Sequence, residues 1–473
     1  MAKVYASSYM EYISFLSDIL WTYVLLAALL GCGLWFTWRT RFVQFRMVGE
    51  MLRLLSDSGM KSEQGRRHIS SFQAFMVSLA SRIGTGNLAG VATAIAVGGP
   101  GAVFWMWLIA LIGAATAFVE STLAQLYKQP HSDSYIGGPA YYIRKGMHSR
   151  WMAALFAILI TLTFALANNA VQSNTIAGAM QQAFGLDPML VGAGLTAVTL
   201  AVVFGGIQRV ARVCSVLVPV MAVGYLVLAV VIVALNIEKV PHVVGIIVSN
   251  AFGMGQALGG GLGMTVIYGV KRGLFSNEAG EGSAPNVAAT AAVSHPVKQG
   301  LIQALGVFTD TLVVCSCTAI IILISGLYTD PDLNGIQLTQ SAMQSEVGSV
   351  GPVFVAVAIF LFAFSSIIGN YYYGEANVRY LSESKTLLAV FRLCSGGLMV
   401  MFGALASLDT VWSLVDVCMA LLTLCNLVAI ATLGRLAFRL LDDYRSQRRR
   451  GIRDPQFHRS QMPDIADQLD CWQ

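Results

Sequence analysis

The stretch "SLASRIGTGNLAGVATAIAVGGPG", residues 78–101, is apolar enough to cross a bilayer, yet its middle holds Arg82, Asn87 and the glycines Gly84 and Gly86. Glycine weakens a helix, and in lipid a non-helical backbone is tolerated only where it is buried in protein or lines a watery cavity. "GTGN" therefore indicates an unwound site beside a cavity. The alternative is close helix packing, because "GNLAG" also has a small-xxx-small spacing.

The composition of the chain restricts its class. Its 473 residues are 56% hydrophobic and 12% charged, and the mean hydropathy is +0.66. These values are typical of a polytopic membrane protein. The net charge of +5 is not gathered into a basic domain with interleaved aromatic residues, which argues against a nucleic-acid partner. The eight cysteines are scattered and are interpreted as reduced packing residues.

Hydropathy predicts an all-α protein with about eleven transmembrane helices, since each span needs about 20 apolar residues. The predicted spans lie near 14–37, 71–97, 100–127, 151–183, 187–205, 213–236, 243–272, 298–327, 350–380, 386–404 and 409–434. Four regions follow: 1–70 with an external N-terminus, an extra helix and an amphipathic cytoplasmic segment, 71–236 and 237–434 with five helices each, and a basic cytoplasmic tail, 435–473. The tail from Arg445 has too little apolar content to fold alone.

The distribution of Lys and Arg predicts the orientation, because loops rich in these residues stay in the cytoplasm. Nearly all of the 30 Lys and Arg residues fall in the segments 39–67, 128–150, 209–212, 271–298, 379–392 and 435–459, which lie on one side of the predicted topology. Only Lys3 and Lys239 fall outside these segments, apart from Arg82 within a span. The expected location is the bacterial inner (plasma) membrane, with a cytoplasmic C-terminus.

A second glycine-rich interruption, "GMGQALGGGLGMT" (residues 253–265), lies five helices after the first. Glycine-interrupted spans in corresponding positions of two halves are typical of secondary transporters. The spacing predicts two five-helix repeats after one extra N-terminal helix. A half-helix that begins at such a break points free N–H groups at an anion, and freed carbonyls suit a small cation. Asn87 can add a side-chain oxygen, so the pattern favours a sodium-coupled amino-acid site.

The run "GGPGAVFWMWLIALIG" (98–113), together with "SRIGTGNLAGVATAI" and "GVKRGLFSNEAGEGSAPNVAATA" (269–291), resembles the alanine or glycine:cation symporter family, the bacterial sodium:alanine symporters. The resemblance covers essentially the whole chain. It implies a core related to the leucine-transporter fold, with 5+5 inverted repeats. It also implies no cofactor, sodium as the co-transported ion, and a small amino acid as substrate.

The resemblance assigns residues to a substrate site and a sodium site. The amides near Thr85 and Gly86 would hold the substrate carboxylate, and the carbonyls of Ala80 and Ile83 would face sodium. Ser365 and Ser366 in "FAFSSIIGNYYYGE" would complete the sodium shell, the alternative being back-bonding to their own helical turn. The expected substrate-binding residues are Thr85, Gly86, Asn87, Gln172, Gly260, Gly261 and Gly263. Gln172 could instead make an interhelical hydrogen bond.

Charged residues within the spans are harder to interpret. Arg82 should be paired, with Glu120, Asp310 and Glu375 as the partners considered, and a structural ion pair is at least as good an explanation as coupling. Asp310 is also a candidate for a second cation or a proton. "FSNEAGEGSAP", with Glu278 and Glu281, is interpreted as a cytoplasmic loop that forms either an inner gate or a solvated acidic turn.

The sequence therefore predicts a sodium-coupled symporter that brings alanine or glycine into the cell by alternating access, with proton coupling as the alternative. An intramembrane enzyme is disfavoured because no HExxH, GxSxG or P-loop motif occurs. A channel would need a continuous pore lined by like groups, which fits paired broken helices less well. The expected partners are the amino acid, sodium and the bilayer, and no obligate protein partner is evident.

Overall fold

The computed structural model describes residues 17, 19–56, 69–131, 134–253 and 262–472. Helices form nearly all of this part of the chain, and the only sheet within it is a hairpin, β1 and β2, in which Gln129 pairs with Ile136. The elements are α1 Leu20–Arg39, α2 Val43–Arg46, α3 Val48–Leu55, α4 Ser71–Arg82, α5 Gly86–Gly98, α6 Ala102–Leu126, β1 Gln129–His131, β2 Ser134–Ile136, α7 Pro139–Gly146, α8 Arg150–Phe184, α9 Pro188–Val203, α10 Gly206–Leu235, α11 Val240–Ala251, α12 Leu262–Asn277, α13 Ala284–Ala288, α14 Val297–Ser325, α15 Gly335–Val347, α16 Val350–Leu381, α17 Lys385–Leu405 and α18 Leu408–Arg449.

Among the described residues, eight helices are long and apolar enough to cross a membrane, namely α1, α6, α8, α10, α14, α16, α17 and α18. Three shorter apolar helices, α5, α9 and α11, add to these. The predicted span near 71–97 is divided into α4 and α5, and the predicted span near 243–272 into α11 and α12. The chain is thus a multi-pass helical membrane protein in which two of the predicted spans are each divided into two shorter helices.

The outer face of α10 shows how the bundle meets lipid. Val216, Val220, Val223, Val227 and Val230 recur at helical spacing and are each about 60% exposed. The opposite face buries residues such as Cys214, Val218 and Tyr225. A stripe of exposed valine along a long apolar helix is expected where the helix faces hydrocarbon, which matches its place in a membrane protein.

The interior is built around two long helices, α6 and α16. Helix α6 packs against α12, α14 and α1, and helix α16 packs against α8, α10 and α4. The first broken helix lies between these groups, since α4 contacts α10 and α16 while α5 contacts α12. This arrangement buries the whole stretch from Ala74 to Ile95.

The C-terminal segment 450–472 packs against one end of the bundle, hereafter the tail side. Phe457 and Trp472 are buried there. The Trp472 indole N–H donates to the Leu126 carbonyl over 3.0 Å, and Lys145 pairs with Asp470 over 2.5 Å. Helix α18 continues without interruption past the predicted tail boundary at residue 435, as far as Arg449.

Candidate functional site

The first helix break lies at the position that the glycines predict. Helix α4 ends at Arg82, Ile83 takes an extended backbone, and α5 begins at Gly86. Asn87 closes the break from the far side, because its side-chain oxygen accepts a hydrogen bond from the Gly84 amide over 2.9 Å. The first turns of α5, Gly86–Gly90, are π-helical, a widened form that is frequent at functional sites.

Three of the four predicted cation ligands converge beside this break. The Ser366 hydroxyl lies 2.8 Å from the Ala80 carbonyl and 3.4 Å from the Ile83 carbonyl. All three residues are fully buried. Three oxygens, two from the end of α4 and one from α16, thus lie close together. Carbonyl and hydroxyl oxygens are ligands that a hard cation prefers.

Ser365 is oriented differently from Ser366. Its hydroxyl donates to the Phe362 carbonyl of its own turn over 2.8 Å and faces the Met221 sulfur at 3.7 Å. This is the back-bonded arrangement that a Ser-Ser pair favours in a membrane helix, and the Ser366 hydroxyl also lies 3.0 Å from the same carbonyl. In this conformation Ser365 therefore lies apart from the other three predicted ligands.

Gln172 of α8 reaches the free amide at the break. Its side-chain oxygen accepts from the Thr85 N–H over 2.9 Å, and its side-chain nitrogen donates to Asn168 over 2.8 Å. The Thr85 hydroxyl is buried and has no hydrogen-bond partner in the described part of the chain. Thr85 and Gln172 are thus brought together, and Gln172 binds the amide that the family resemblance assigns to a substrate carboxylate.

The predicted second break, residues 253–265, falls mostly outside the described residues, and a different interruption faces the first break. Gly260 and Gly261 lie outside the described residues, and Gly263 is an exposed residue of α12 with open space around it. The segment facing the first break is the end of α12, because a Cβ built on Gly86 would lie 3.0 Å from the Ser276 Cα and 3.2 Å from the Phe275 ring.

Helix α12 stops at Asn277, and the chain resumes as α13 only at Ala284. In between, Glu278, Gly280 and Gly282 all have positive φ, at 56°, 94° and 78°. Positive φ is routine for glycine and uncommon elsewhere, which explains why the chain unwinds at "NEAGEGS". In this unwound segment, residues 278–283, Glu278 and Glu281 are each only 1% exposed, which argues against the alternative of a solvated acidic turn.

Asp310 connects the two breaks. Its carboxylate accepts from the Asn87 side-chain amide over 2.7 Å, from the Ser276 hydroxyl over 2.8 Å and from the Thr311 hydroxyl over 2.8 Å. It lies in a π-helical stretch of α14, Phe308–Cys315. A fully buried carboxylate with three donors is well satisfied, so Asp310 holds the two broken helices in register.

The three partners considered for Arg82 are all occupied elsewhere. Glu120 accepts from the amides of Gly280 and Gly282, over 3.2 and 3.1 Å, and from Asn426 over 2.8 Å. Asp310 makes the contacts given above. Glu375 pairs with two arginines, Arg379 over 2.7 Å and Arg392 over 3.5 Å. Arg82 itself donates only to the Gln303 carbonyl over 3.1 Å, and its Nε and Nη2 find no partner among the described residues.

Sequence reasoning missed a further group beside the site. The Trp412 ring packs against Phe275 with centroids 4.7 Å apart, and the Arg272 guanidinium covers it at 3.9 Å. Arg272 and Lys271 both pair with Asp416 of α18, over 3.1 and 2.7 Å. The two basic residues were expected in a cytoplasmic loop, but they are buried in α12. Their buried position could have been predicted from Asp416, because an acidic residue within an otherwise apolar span needs a basic partner.

Known proteins resemble the chain over nearly its full length. Residues 6–459 match the family model described as the sodium:alanine symporter family. The probable sodium/glutamine symporter GlnT of Bacillus subtilis is 50% identical, covering 96% of this chain and 94% of its own. The amino-acid carrier protein AlsT of the same organism is 49% identical, covering 97% and 96%. The sodium/alanine symporter AgcS of Methanococcus maripaludis is 37% identical, covering 90% and 95%.

A solved structure shares the fold at much lower identity. A manganese transporter from Eremococcus coleocola superimposes with a TM-score of 0.52 and 14% identity, covering 88% of both chains. At that identity the likeness concerns the fold alone. Together with the match over residues 6–459, these findings establish that the chain belongs to the sodium:alanine symporter family of amino-acid:cation symporters and is a transporter, not an enzyme.

Proposed function

We propose that the protein is a sodium-coupled symporter that brings a small neutral amino acid, alanine or glycine, into the cell. The observation that carries this proposal is the meeting of the Ser366 hydroxyl with the carbonyls of Ala80 and Ile83 at the helix break. Three neutral oxygens without a carboxylate suit a monovalent cation, because a divalent ion normally needs anionic ligands.

The substrate would lie against the same break, on the side of α5. There the helix N-terminus points the amides of Thr85 and Gly86 outward, and such amides with the helix dipole favour a carboxylate. Substrate binding would displace the Gln172 oxygen from the Thr85 amide, which frees that oxygen to accept from the substrate ammonium. One side chain would thus close the empty site and recognise the amino group of the filled one.

The walls around this position favour a small side chain. Phe275 and Ser276 approach Gly86 closely enough that even a methyl group on Gly86 would crowd them. The 50% identity to a protein named as a probable sodium/glutamine symporter makes glutamine the second candidate substrate, with the same backbone recognition. Competition between the three amino acids distinguishes these alternatives.

The orientation is part of the same proposal. The tail side carries the basic segments 128–150 and 435–459, and such segments stay in the cytoplasm. The two broken helices would form the core of a 5+5 inverted repeat, with binding near the middle of the membrane. Proton coupling in place of sodium is the alternative, and a channel is less compatible with two paired breaks.

Uptake into proteoliposomes tests the function. We expect an inward sodium gradient, and not an equal potassium gradient, to drive accumulation of radiolabelled alanine, with unlabelled glycine and glutamine as competitors. Equal uptake in potassium would contradict sodium coupling. Stronger competition by glutamine than by alanine or glycine would identify glutamine as the preferred substrate, and the conclusion on sodium coupling would still hold.

A further inference from the structure

The unwound segment 278–283 brings three carboxyl groups and one guanidinium into the interior. Glu278 and Glu281 belong to the segment, Glu120 reaches it from α6, and Arg82 faces it from the end of α4. Each is at most 1% exposed. Charges that are removed from water in this way must be neutralised or fully hydrogen-bonded. One arginine cannot neutralise three carboxylates, so the donors available to each carboxyl group decide its charge.

Two of the three carboxyl groups have donors suited to an ionised form. Glu120 accepts three N–H bonds, from Gly280, Gly282 and Asn426, over 2.8 to 3.2 Å. Glu278 accepts the hydroxyl of Ser283 on one oxygen over 2.6 Å, and its other oxygen lies 2.6 Å from the Ser81 hydroxyl, which also lies 2.5 Å from the side-chain oxygen of Asn370. An ionised carboxylate is an acceptor only, and both groups are arranged as acceptors.

Glu281 differs from the other two. Its Oε1 is buried and has no hydrogen-bond partner within the part of the chain that the structure describes. A buried carboxylate oxygen without a donor is much less stable than a neutral carboxyl group in the same place. The nearby charges of Glu278 and Glu120 also disfavour an anion at Glu281, and Arg82 opposes them.

Arg82 is the complementary half of this arrangement. Two of its nitrogens, Nε and Nη2, are buried without an acceptor among the described residues, although Glu281 lies within its electrostatic reach. A guanidinium with free donors and a carboxyl group with a free acceptor therefore lie in one interior region without meeting. From α16, the phenol of Tyr373 faces the same region beside Glu278 and Arg82.

We propose that Glu281 is a proton-binding site of the transport cycle, protonated while the two broken helices are packed together as here. The site lies apart from Asp310, whose oxygens are already satisfied. The proposal rests on the proposed function and adds a proton to the sodium and amino acid that the protein handles. When the breaks separate, the O–H bond of the carboxyl group breaks, water takes the proton, and the carboxylate accepts the free N–H groups of Arg82.

The test is the pH dependence of sodium-driven uptake, measured with the same pH on both sides of the membrane so that no proton gradient contributes. Above the pKa of a carboxyl group its protonated fraction falls about tenfold per pH unit. Since the packed conformation needs the proton, we expect wild-type uptake to fall as the pH rises. The Glu281→Gln variant stays neutral at every pH, so the uptake that it retains, at whatever level, should not show this fall. The matched control Glu383→Gln, at an exposed position between α16 and α17, should keep the wild-type profile.

A Glu281→Gln profile parallel to that of the wild type would overturn the proposal. Infrared spectroscopy provides a second measurement that does not depend on transport. The wild-type protein at pH 8 should show the carbonyl band of a protonated carboxyl group, and that band should be missing from Glu281→Gln and present in Glu383→Gln. Absence of the band from the wild type would contradict the proposal even if the variant does not fold. Absence of all sodium-driven uptake in the wild type would instead contradict the proposed function, while the infrared test of Glu281 would stand.

Discussion

The Asp310 carboxylate accepts a hydrogen bond from the Asn87 side-chain amide over 2.7 Å, and Asn87 in turn accepts from the Gly84 amide. A residue of α14 thus supports the unwound backbone through one intermediate side chain. The second oxygen of Asp310 accepts from Ser276, at the end of α12. The geometry of both breaks therefore depends on a carboxylate that itself lies outside them.

Replacing Asp310 with asparagine tests this support. The variant presents an NH₂ group to hydroxyls that now donate, so we expect a loss of about 1–3 kcal/mol in the free energy of unfolding and a higher KM for the amino acid. Thermal unfolding in detergent and uptake kinetics measure the two effects. Asp332→Asn, at an exposed position, is the control. An unchanged KM in the Asp310 variant would show that the hydrogen bonds of Asp310 do not affect the geometry of the substrate site.

Replacing single glycines with alanine tests which of the two glycine-rich segments is needed for uptake. A Cβ on Gly84 would lie 2.7 Å from the Gln172 oxygen and would also collide with the Ser366 hydroxyl, whereas a Cβ on Gly263 meets nothing within 4 Å. We therefore expect Gly84→Ala to abolish uptake. Gly263→Ala should leave uptake unchanged and stabilise α12 by up to about 1 kcal/mol, because alanine is the better helix former. Loss of uptake in Gly263→Ala would instead return the predicted segment 253–265 to the substrate site.

The tail side offers a test by pH. Lys128 follows α6, donates to the Ala291 carbonyl over 3.2 Å, and lies under the rings of Tyr135 and Trp472. Burial lowers its pKa from 10.5 to about 7. Between those two values the unfolded chain binds more protons than the folded protein, so stability should rise with pH from about 7 towards 10. Lys128→Met should flatten this rise in thermal unfolding measured across that range. If the stability of the variant rises equally steeply with pH, other ionisable groups cause the rise.

Trp472 fixes the C-terminal segment to the bundle. Its indole donates to the carbonyls of Leu126 and Gln125, and its ring packs against Phe457 at 5.5 Å. We expect Trp472→Ala to lower the free energy of unfolding by about 3–5 kcal/mol, as is usual for truncating a buried tryptophan. Thermal unfolding measures the loss, and Ile452→Ala, at a residue that is 40% exposed, is the control. A loss below about 1 kcal/mol would mean that the segment contributes little to the bundle.

The first break could be predicted because its signal is local. Gly84 and Gly86 flank Thr85 within an apolar span, and Asn87 follows directly, so the four residues alone indicate an interrupted helix with its own cap. The convergence of Ala80, Ile83 and Ser366 came from the resemblance to a family, because no local pattern connects residues 286 positions apart.

The interruption at residues 278–283 could not be predicted in the same way. Glycines at 259–263 weaken a helix, but "NEAGEGS" unwinds because Gly280 and Gly282 take positive φ and because Glu120 satisfies the freed amides from another helix. Acidic residues in a short glycine-rich stretch are typical of a solvated turn, and only the tertiary contacts reverse that interpretation. Arg272 was misplaced for the same reason, since its partner Asp416 lies 144 residues away.

The most direct measurement is a sodium titration of alanine uptake in proteoliposomes containing the wild-type protein, Ser366→Ala and the control Ser345→Ala, whose hydroxyl bonds only its own turn in α15. Loss of the Ser366 oxygen should raise the half-saturating sodium concentration about tenfold, which corresponds to about 1.4 kcal/mol of binding free energy. Ser345→Ala should match the wild type, and Ser365→Ala should show a smaller shift than Ser366→Ala. Unchanged sodium dependence in a folded Ser366→Ala protein would contradict a sodium site formed by Ala80, Ile83 and Ser366.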